Sequence, residues 1–202
     1  MKLSVILLAA GLSSRMGEDK LMMKYKGTSL MQHAINLLEA IDSYEKFVIT
    51  TKRRTEKAKI AANIKVIINS DPSRGLSSSI SLGVENATGT HYLFMAADQP
   101  KLTQGDMTEL IDLSRKNNNK IVYPLLNGEP TIPSIFPVTL RDELLTLTGD
   151  RGGRIIREKY PKECLEFSPK NTGNLIDIDT KDTMSLLDTM SLLGDYNATN
   201  QY

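Results

Sequence analysis

Short apolar, β-rich segments alternate with amphipathic segments along most of this chain. The first, residues 3–8, reads Leu-Ser-Val-Ile-Leu-Leu, which is typical of a strand buried on both faces. Similar runs predict further strands over residues 46–50, 64–68, 91–97, 121–125 and 175–178. This alternation predicts an α/β fold of three Rossmann-like layers, with a mostly parallel sheet flanked by helices.

Helical periodicity is clearest over residues 28–41. Leu30, Ala34 and Leu38 recur at steps of four there, and Thr28 is the predicted N-cap. Another helix is predicted from Thr103, where Asp106 would complete a capping box. The remaining predicted helices cover residues 78–87, 137–147 and 151–160, with a last helix starting at Thr180.

The length and composition of the chain limit the classes of function that it can have. A chain of 202 residues fits one ordinary domain, and we expect that domain over residues 1–195, followed by a frayed tail, 196–202. Twenty-five basic and 24 acidic residues give a formal charge of +1, which argues against a general nucleic-acid binder. The chain has no run of about 20 apolar residues, so we expect neither a membrane-spanning helix nor a membrane partner.

Cysteine usage and one basic run complete this reading. The single cysteine, Cys164, has no internal disulfide partner, so nothing indicates an oxidising compartment. Without a convincing signal peptide or membrane span, the expected location is the cytoplasm. The basic residues at positions 52, 53, 54, 57 and 59 have no interleaved aromatic residues. We therefore interpret them as a solvated helical face rather than a nucleic-acid patch.

Ligands of parallel α/β sheets bind at the carboxyl ends of the strands, so the loops at residues 9–20, 69–79 and 98–100 are the expected site. In the first loop, Gly11 and its small neighbours let a ligand approach the backbone closely. Arg15 offers a planar fork of donors for phosphate, and Lys20 a mobile point charge. The loop favours a polyphosphate, although an ordinary turn with surface basic residues is the alternative.

The second loop joins Asn69 to a glycine and serines at a helix start, Gly75 to Ser79. Their N–H and hydroxyl groups suit an anion or a base edge, and the alternative is a serine-rich helix cap.

In the third loop, Asp98 ends an apolar strand, where a carboxylate must be paired or bind a metal. Asp177 and Asp179 both offer a second carboxylate for Mg²⁺, and either could instead cap a turn.

Together these residues resemble the molybdenum cofactor cytidylyltransferase and MobA-like nucleotidyltransferase family. The pattern Leu-Ala-Ala-Gly-x-Ser-x-Arg-Met-Gly-x-x-Lys occupies residues 8–20. The likeness continues, in order, through residues 24–27, 75–83, 98–100, 133–136, 149–154 and 177–180. It implies the nucleotide-diphospho-sugar transferase type of fold.

The resemblance implies transfer of CMP from CTP to the terminal phosphate of the molybdopterin cofactor, with release of pyrophosphate. It implies that Arg15, Lys20 and Asp98 are catalytic, and that Asp98 holds Mg²⁺ (or Mn²⁺) with Asp179. Arg15 and Lys20 would neutralise the β- and γ-phosphates. The implied nucleotide-binding residues are Leu8, Ala9, Ala10, Gly11, Arg15, Lys20, Asn69, Gly75, Ser78 and Ser79.

Ala9-Ala10-Gly11 looks like the cytidylyl branch, since the guanylyl branch tends to have Ala-Gly-Gly. Two departures are Ile132-Pro133, where Gly-His-Pro is common, and Lys181, where a proline is usual. The alternatives are a guanylyl- or other NTP transferase with a different phosphorylated acceptor, or a non-catalytic accessory protein that delivers the cofactor to a molybdenum hydroxylase client.

Overall fold

An apolar central sheet organises the protein, for which the computed structural model describes residues 1–12, 19–180 and 183. The strands of this described part are β1 (Leu3–Ala9), β2 (Lys24–Tyr25), β3 (Thr28–Ser29), β4 (Glu45–Thr50), β5 (Lys65–Ile68), β6 (His91–Ala96), β7 (Ile121–Leu126), β8 (Glu129–Pro130), β9 (Ser134–Pro137) and β10 (Cys164–Phe167). Its α-helices are α1 (Leu30–Ala40), α2 (Lys52–Thr55), α3 (Leu76–Asn86), α4 (Gln104–Lys116), α5 (Arg141–Leu145) and α6 (Arg154–Lys159). None of these helices is long and apolar enough to cross a bilayer.

The main sheet has the strand order β10-β7-β9-β6-β1-β4-β5, and β8 pairs with β7 beside this path. β1 lies parallel to both β4 and β6, β4 to β5, and β7 to β10. β9 runs antiparallel between β6 and β7. The predicted α/β class with a mostly parallel sheet is confirmed, and the antiparallel strands are β9 and the two-residue β8.

The alternation of side chains along β1 divides the core into two. Leu3, Val5 and Leu7 face the core formed with α1 and α4, whereas Ile6 and Leu8 face the core formed with α3. Every residue of β1 is buried, as the sequence predicts. Helices therefore cover both faces, and the carboxyl ends of β1 and β6 remain the open edge.

The helix caps agree with the sequence at one helix and differ at another. Thr103 and Asp106 form the predicted capping box of α4. The predicted cap Thr28 is wrong, because Thr28 lies in the β2–β3 hairpin and the Ser29 hydroxyl accepts the bond from Gln32 N (3.2 Å). The hairpin postpones the helix start by one residue.

The strand predicted over residues 175–178 is wrong. Leu175 ends a 3₁₀ helix, Thr172–Leu175, and no strand follows it within the described residues. Leu175 and Ile178 are nevertheless fully buried, so their apolar character reports burial rather than β-structure. The last described strand is β10.

The helix predicted from Pro137 is also shorter than expected, since Pro137 ends β9 and α5 covers only five residues. The loop before α6 is longer than expected, because α6 begins at Arg154. The predicted tail, 196–202, and most of the helix predicted from Thr180 lie outside the described residues.

Candidate active site

A cavity of about 530 Å³ opens at the carboxyl ends of β1 and β6. Its volume falls within the about 300–1,000 Å³ usual for small-molecule sites. All three predicted loops contribute to its walls, together with residues from further along the chain. The lining residues include Leu8, Ala10, Gly11, Leu12, Lys20, Pro72, Ser73, Gly75, Leu76, Ser79, Ala97, Asp98, Thr131, Ile132, Asp150, Asp177 and Asp179.

The Lys20 ammonium links the first loop to two carboxylates across this cavity. Its Nζ atom lies 2.8 Å from Asp98 Oδ2 and 3.1 Å from Asp179 Oδ1. Burial lowers the pKa of Lys20, but the two carboxylates outweigh burial and raise the pKa above its ordinary value. The site therefore holds a permanent positive charge between two negative ones.

Hydrogen bonds hold the C-terminal segment against the end of β6. Ile178 N donates to the Asp98 carbonyl oxygen (2.9 Å), which places Asp177 and Asp179 on either side of this contact. The buried Gln99 amide donates to the carbonyl oxygens of Ile132 (2.9 Å) and Leu175 (3.0 Å). Gln99 thus ties two other segments to the strand end, a role that sequence reasoning missed although the residue directly follows Asp98.

Asp177 lies deeper in the wall than Asp179. Burial, and then the charges of Asp98 and Asp179, raise the pKa of Asp177 to about 7, against the opposing influence of Lys20. Asp177 is therefore partly protonated near neutral pH, whereas the exposed Asp179 is paired with Lys20. The sequence does not decide whether Asp177 or Asp179 supplies the second carboxylate. In the structure, Asp179 is the one that pairs with the Lys20 ammonium.

Arg54 corrects the prediction of a solvated basic face, because only 5% of it is exposed. Its guanidinium pairs with the Asp19 carboxylate (Nη2 to Oδ1, 2.8 Å) and donates to the carbonyl oxygens of Ala9 (2.7 Å) and Gly11 (2.9 Å). Arg54 thus fixes both ends of the loop that contains residues 13–18. No local signal marks it, since these partners lie 35 to 45 residues away in sequence.

The start of α3 is held by the loop that precedes α6. Leu76 N donates to Asp150 Oδ1 (3.0 Å), and Ser77 N donates to the Gly149 carbonyl oxygen (3.0 Å). Gly75, at φ +85°, permits this contact, because an added Cβ would lie 2.6 Å from Asp150 Oδ1. Asp150 is a further cavity residue that sequence reasoning left without a role.

Asn69 lies behind the cavity wall. Its amide nitrogen donates to the hydroxyl oxygens of Ser78 (2.9 Å) and Ser79 (3.1 Å), and its amide oxygen accepts from Asp71 N (3.1 Å). Asn69 therefore fixes a turn against the start of α3. Of these side chains, only Ser79 lines the cavity.

The structure brings together most residues that the resemblance assigns to the nucleotide. Ala9 differs, because it is fully buried and its carbonyl accepts from Thr50 (3.1 Å) as well as Arg54. Arg15 falls outside the described residues, so its phosphate role stays a prediction. The individual contacts to a nucleotide also stay predictions.

The carboxylates of Asp98 and Asp179 suit a divalent cation. Both already converge on one cationic atom, Lys20 Nζ, so they can share a positive charge at the cavity wall. In the described part of the chain, this site included, no group of three or more His, Cys, Asp or Glu residues has a metal-binding arrangement, so the protein would supply only these two carboxylates. A hard cation such as Mg²⁺ fits two carboxylates when phosphate oxygens and water complete its coordination.

Comparison with known proteins gives a consistent picture. Residues 5–164 match the MobA-like NTP transferase domain family. The chain is 28% identical over 188 residues to the molybdenum cofactor cytidylyltransferase of Escherichia coli K12, covering 88% of this chain and 91% of that protein. It is 26% identical over 198 residues to the purine catabolism protein PucB of Bacillus subtilis 168, covering 90% and 94%. A probable molybdenum cofactor guanylyltransferase of Pyrococcus horikoshii is 34% identical over 122 residues, covering 59% and 58%.

Solved structures share the fold at low identity. A homologue, from Mycobacterium sp. strain JC1, of Mycobacterium tuberculosis Rv0371c aligns with a TM-score of 0.80 at 19% identity, covering 96% of this chain and 100% of that one. CMP:2-keto-3-deoxy-manno-octonic acid synthetase complexed with CTP aligns with a TM-score of 0.74 at 12% identity, again covering 96% and 100%.

Proposed function

This chain belongs to the MobA-like NTP transferase domain family, and on that premise we propose that it transfers CMP from CTP to the terminal phosphate of the molybdopterin cofactor and releases pyrophosphate. One observation carries the proposal. Lys20, Asp98 and Asp179 meet on the wall of a cavity of ligand size. A cation and two metal-binding carboxylates are what a reaction between two phosphate groups requires.

The reaction depends on holding the two substrates in position rather than on activating a nucleophile. An oxygen of the acceptor phosphate, already anionic, attacks the α-phosphorus of CTP, and the bond from that phosphorus to the β-phosphate oxygen breaks. No proton has to leave the nucleophile, so no serine, cysteine or strong base is required. The protein must instead hold two polyanions together and neutralise the charge that builds on the leaving pyrophosphate.

The residues divide this work. Lys20, which its carboxylate partners keep protonated, offers its charge to the phosphates of CTP. Asp98 and Asp179 would hold Mg²⁺ (or Mn²⁺), which when bound supplies further neutralisation of phosphate charge. Arg54 holds the ends of the first loop, and Gln99 holds the segments of Ile132 and Leu175 against the end of β6.

Two features support CTP over other nucleotides. The Ala9-Ala10-Gly11 sequence resembles the cytidylyl branch, and the cytidylyltransferase relative aligns over most of both chains. A guanylyltransferase is the alternative, and the higher identity to a probable guanylyltransferase over a shorter segment favours it.

Thermal unfolding with each of CTP, GTP, ATP and UTP, in the presence of Mg²⁺, tests the nucleotide. A ligand that binds only the folded state adds about 2.7 kcal/mol to the free energy of unfolding when its concentration is 100 times its dissociation constant. We expect CTP to raise the melting temperature most and to support pyrophosphate release when the cofactor is added. Preferential stabilisation by GTP would replace the cytidylyl assignment with a guanylyl one.

A second candidate is a delivery protein that binds the cofactor for a molybdenum hydroxylase without nucleotide transfer. Similarity over nearly the whole chain to a protein named for purine catabolism, not for nucleotide transfer, favours it. Tight cofactor binding with no pyrophosphate release from CTP and Mg²⁺ would support this candidate.

A further inference from the structure

A second, smaller cavity of about 180 Å³ adjoins the candidate active site. The two cavities share Leu8, Leu76, Thr131 and Ile132 as lining residues, so they meet at this boundary. Because pockets for whole ligands usually exceed about 300 Å³, the second cavity suits one group of a larger ligand. A ligand in the first cavity can extend that group into the second.

The walls of the second cavity are largely apolar. Phe94 and Phe136 pack edge to face with ring centroids 5.8 Å apart, and Ile80 and Leu144 add aliphatic surface. Such walls favour a flat or apolar group over a flexible, charged one. Thr131 and Ser134 are the hydroxyl-bearing residues of the lining.

Three arginines, Arg151, Arg154 and Arg157, also line this cavity, and of these Arg157 alone is partly buried. Its Nε atom is buried without a hydrogen-bond partner, and no carboxylate of the described residues lies within salt-bridge distance of its guanidinium. The guanidinium lies 5.0 Å from the ring centroid of Tyr123, and burial lowers the pKa of Arg157 below its ordinary value. A partly buried cation without an acceptor costs free energy, which an oxygen ligand would offset.

The neighbouring Arg154 lies in a different environment from Arg157. Arg154 also borders the cavity, but it is exposed and pairs with Glu158 one turn later (2.7 Å). Arg154 therefore already has its acceptor, whereas Arg157 does not.

We propose that the second cavity binds the end of the acceptor remote from its reacting phosphate, a flat ring bearing a hydrogen-bond-accepting oxygen, and that Arg157 donates to that oxygen. The inference rests on the proposed function, since the pterin of the molybdopterin cofactor is a flat fused ring with a carbonyl oxygen. Arg157 then determines acceptor specificity, and the nucleotide site stays independent of it.

Arg157→Met tests the proposal, with Lys159→Met as the control, because Lys159 lies on the same helix but does not line either cavity. We expect Arg157→Met to raise KM for the cofactor about 10- to 100-fold, the cost of a hydrogen bond to a charged donor, while KM for CTP stays unchanged. Lys159→Met should change neither constant. Arg157→Lys keeps the positive charge, so its KM for the cofactor should lie between those of the wild type and Arg157→Met. A purely structural role of the guanidinium would not predict this partial recovery.

An unchanged cofactor KM in Arg157→Met would overturn the proposal while leaving nucleotide transfer intact. Equal losses for CTP and the cofactor would also overturn it, because the residue would then support the whole fold.

A phosphate-free probe, the fluorescent 6-hydroxymethylpterin, separates this inference from the proposed function. If the wild-type protein transfers no CMP but binds this pterin in an Arg157-dependent way, the ring site stands and the transferase assignment fails. If it neither transfers CMP nor binds the pterin, the ring site fails as well.

Discussion

Single residues at the candidate site neutralise one another before any ligand is bound. Lys20 lies between Asp98 and Asp179, and Arg54 pairs with Asp19 at the end of the first loop. Removing one member of a buried pair leaves an uncompensated charge, so each partner depends on the other. Substitutions at these positions should separate effects on the reaction from effects on the loop.

Asp98→Asn keeps the size of the side chain and removes its charge. We expect kcat to fall about 10²-fold or more, the loss typical of a preorganised charge contact. Steady-state pyrophosphate release with CTP, Mg²⁺ and cofactor measures it. Asp112→Asn is the control, because Asp112 is an exposed carboxylate on α4 that pairs only with Arg115 among the described residues. Near-normal turnover of Asp98→Asn would remove Asp98 from the mechanism.

Arg54→Met should weaken both the fold and nucleotide binding. Loss of one partner from a buried ion pair costs about 3–5 kcal/mol, and the ends of the first loop lose their shared anchor. Urea unfolding and CTP titration measure the two effects. Arg53→Met, at the exposed neighbouring position, should change stability by less than about 0.5 kcal/mol.

A double-mutant cycle with Asp19→Asn checks the cause. The double variant should be more stable than the sum of the two single losses predicts, because the unpaired carboxylate is gone. Strict additivity would show that Arg54 acts without Asp19.

Among the secondary-structure elements, the start of α3 depends on one glycine. Gly75→Ala combines an unfavourable positive φ with a collision against Asp150, so we expect a loss of about 1–3 kcal/mol. Gly105→Ala in α4 is the control, because its added Cβ would meet its nearest neighbour at an ordinary 3.6 Å. That variant should be neutral or stabilised by up to about 1 kcal/mol. Equal melting temperatures for the two variants would contradict this reading of Gly75.

The elements that sequence predicts best are those whose burial follows from their own residues. β1, β4 and β6 are continuous apolar runs, and they appear within one residue of the predicted ends. β9 and β10 were missed, because each has only four residues and β9 ends in a proline. Their pairing depends on partners from elsewhere in the chain, which no local pattern records.

The same limit applies to the candidate site. Lys20, in the loop after β1, and Asp98, which follows β6, were predicted to lie together because topology places strand ends at one edge of the sheet, and they form an ion pair. Arg54, Gln99 and Arg157 were missed, because their roles depend on carbonyl groups or cavities formed by distant segments. The sequence around Arg54 is a run of basic residues, which does not indicate that distant residues bury this side chain.

For the whole molecule, Asp177 should make stability depend on pH. Its folded-state pKa is raised from 3.8 to about 7, so the folded protein holds this proton more tightly than the unfolded chain. The resulting stabilisation is complete below about pH 4 and is lost as the pH rises to about 7. Urea unfolding between pH 4 and 8, without divalent cations, measures it.

Asp177→Asn isolates this contribution from other titrating groups. The variant cannot lose that proton, so its stability relative to the wild type should increase as the pH rises through this window. A constant difference between the two proteins across the window would show that Asp177 ionises normally.

The Lys20–Asp179 contact joins residues that are 159 positions apart. At synthesis rates of about 5–20 residues per second, a ribosome needs roughly 8 to 30 s to travel from one to the other. During that interval the nascent chain already has its first loop but lacks the second carboxylate for its lysine. This part of the candidate site can therefore be completed only after the chain has been synthesised as far as Asp179.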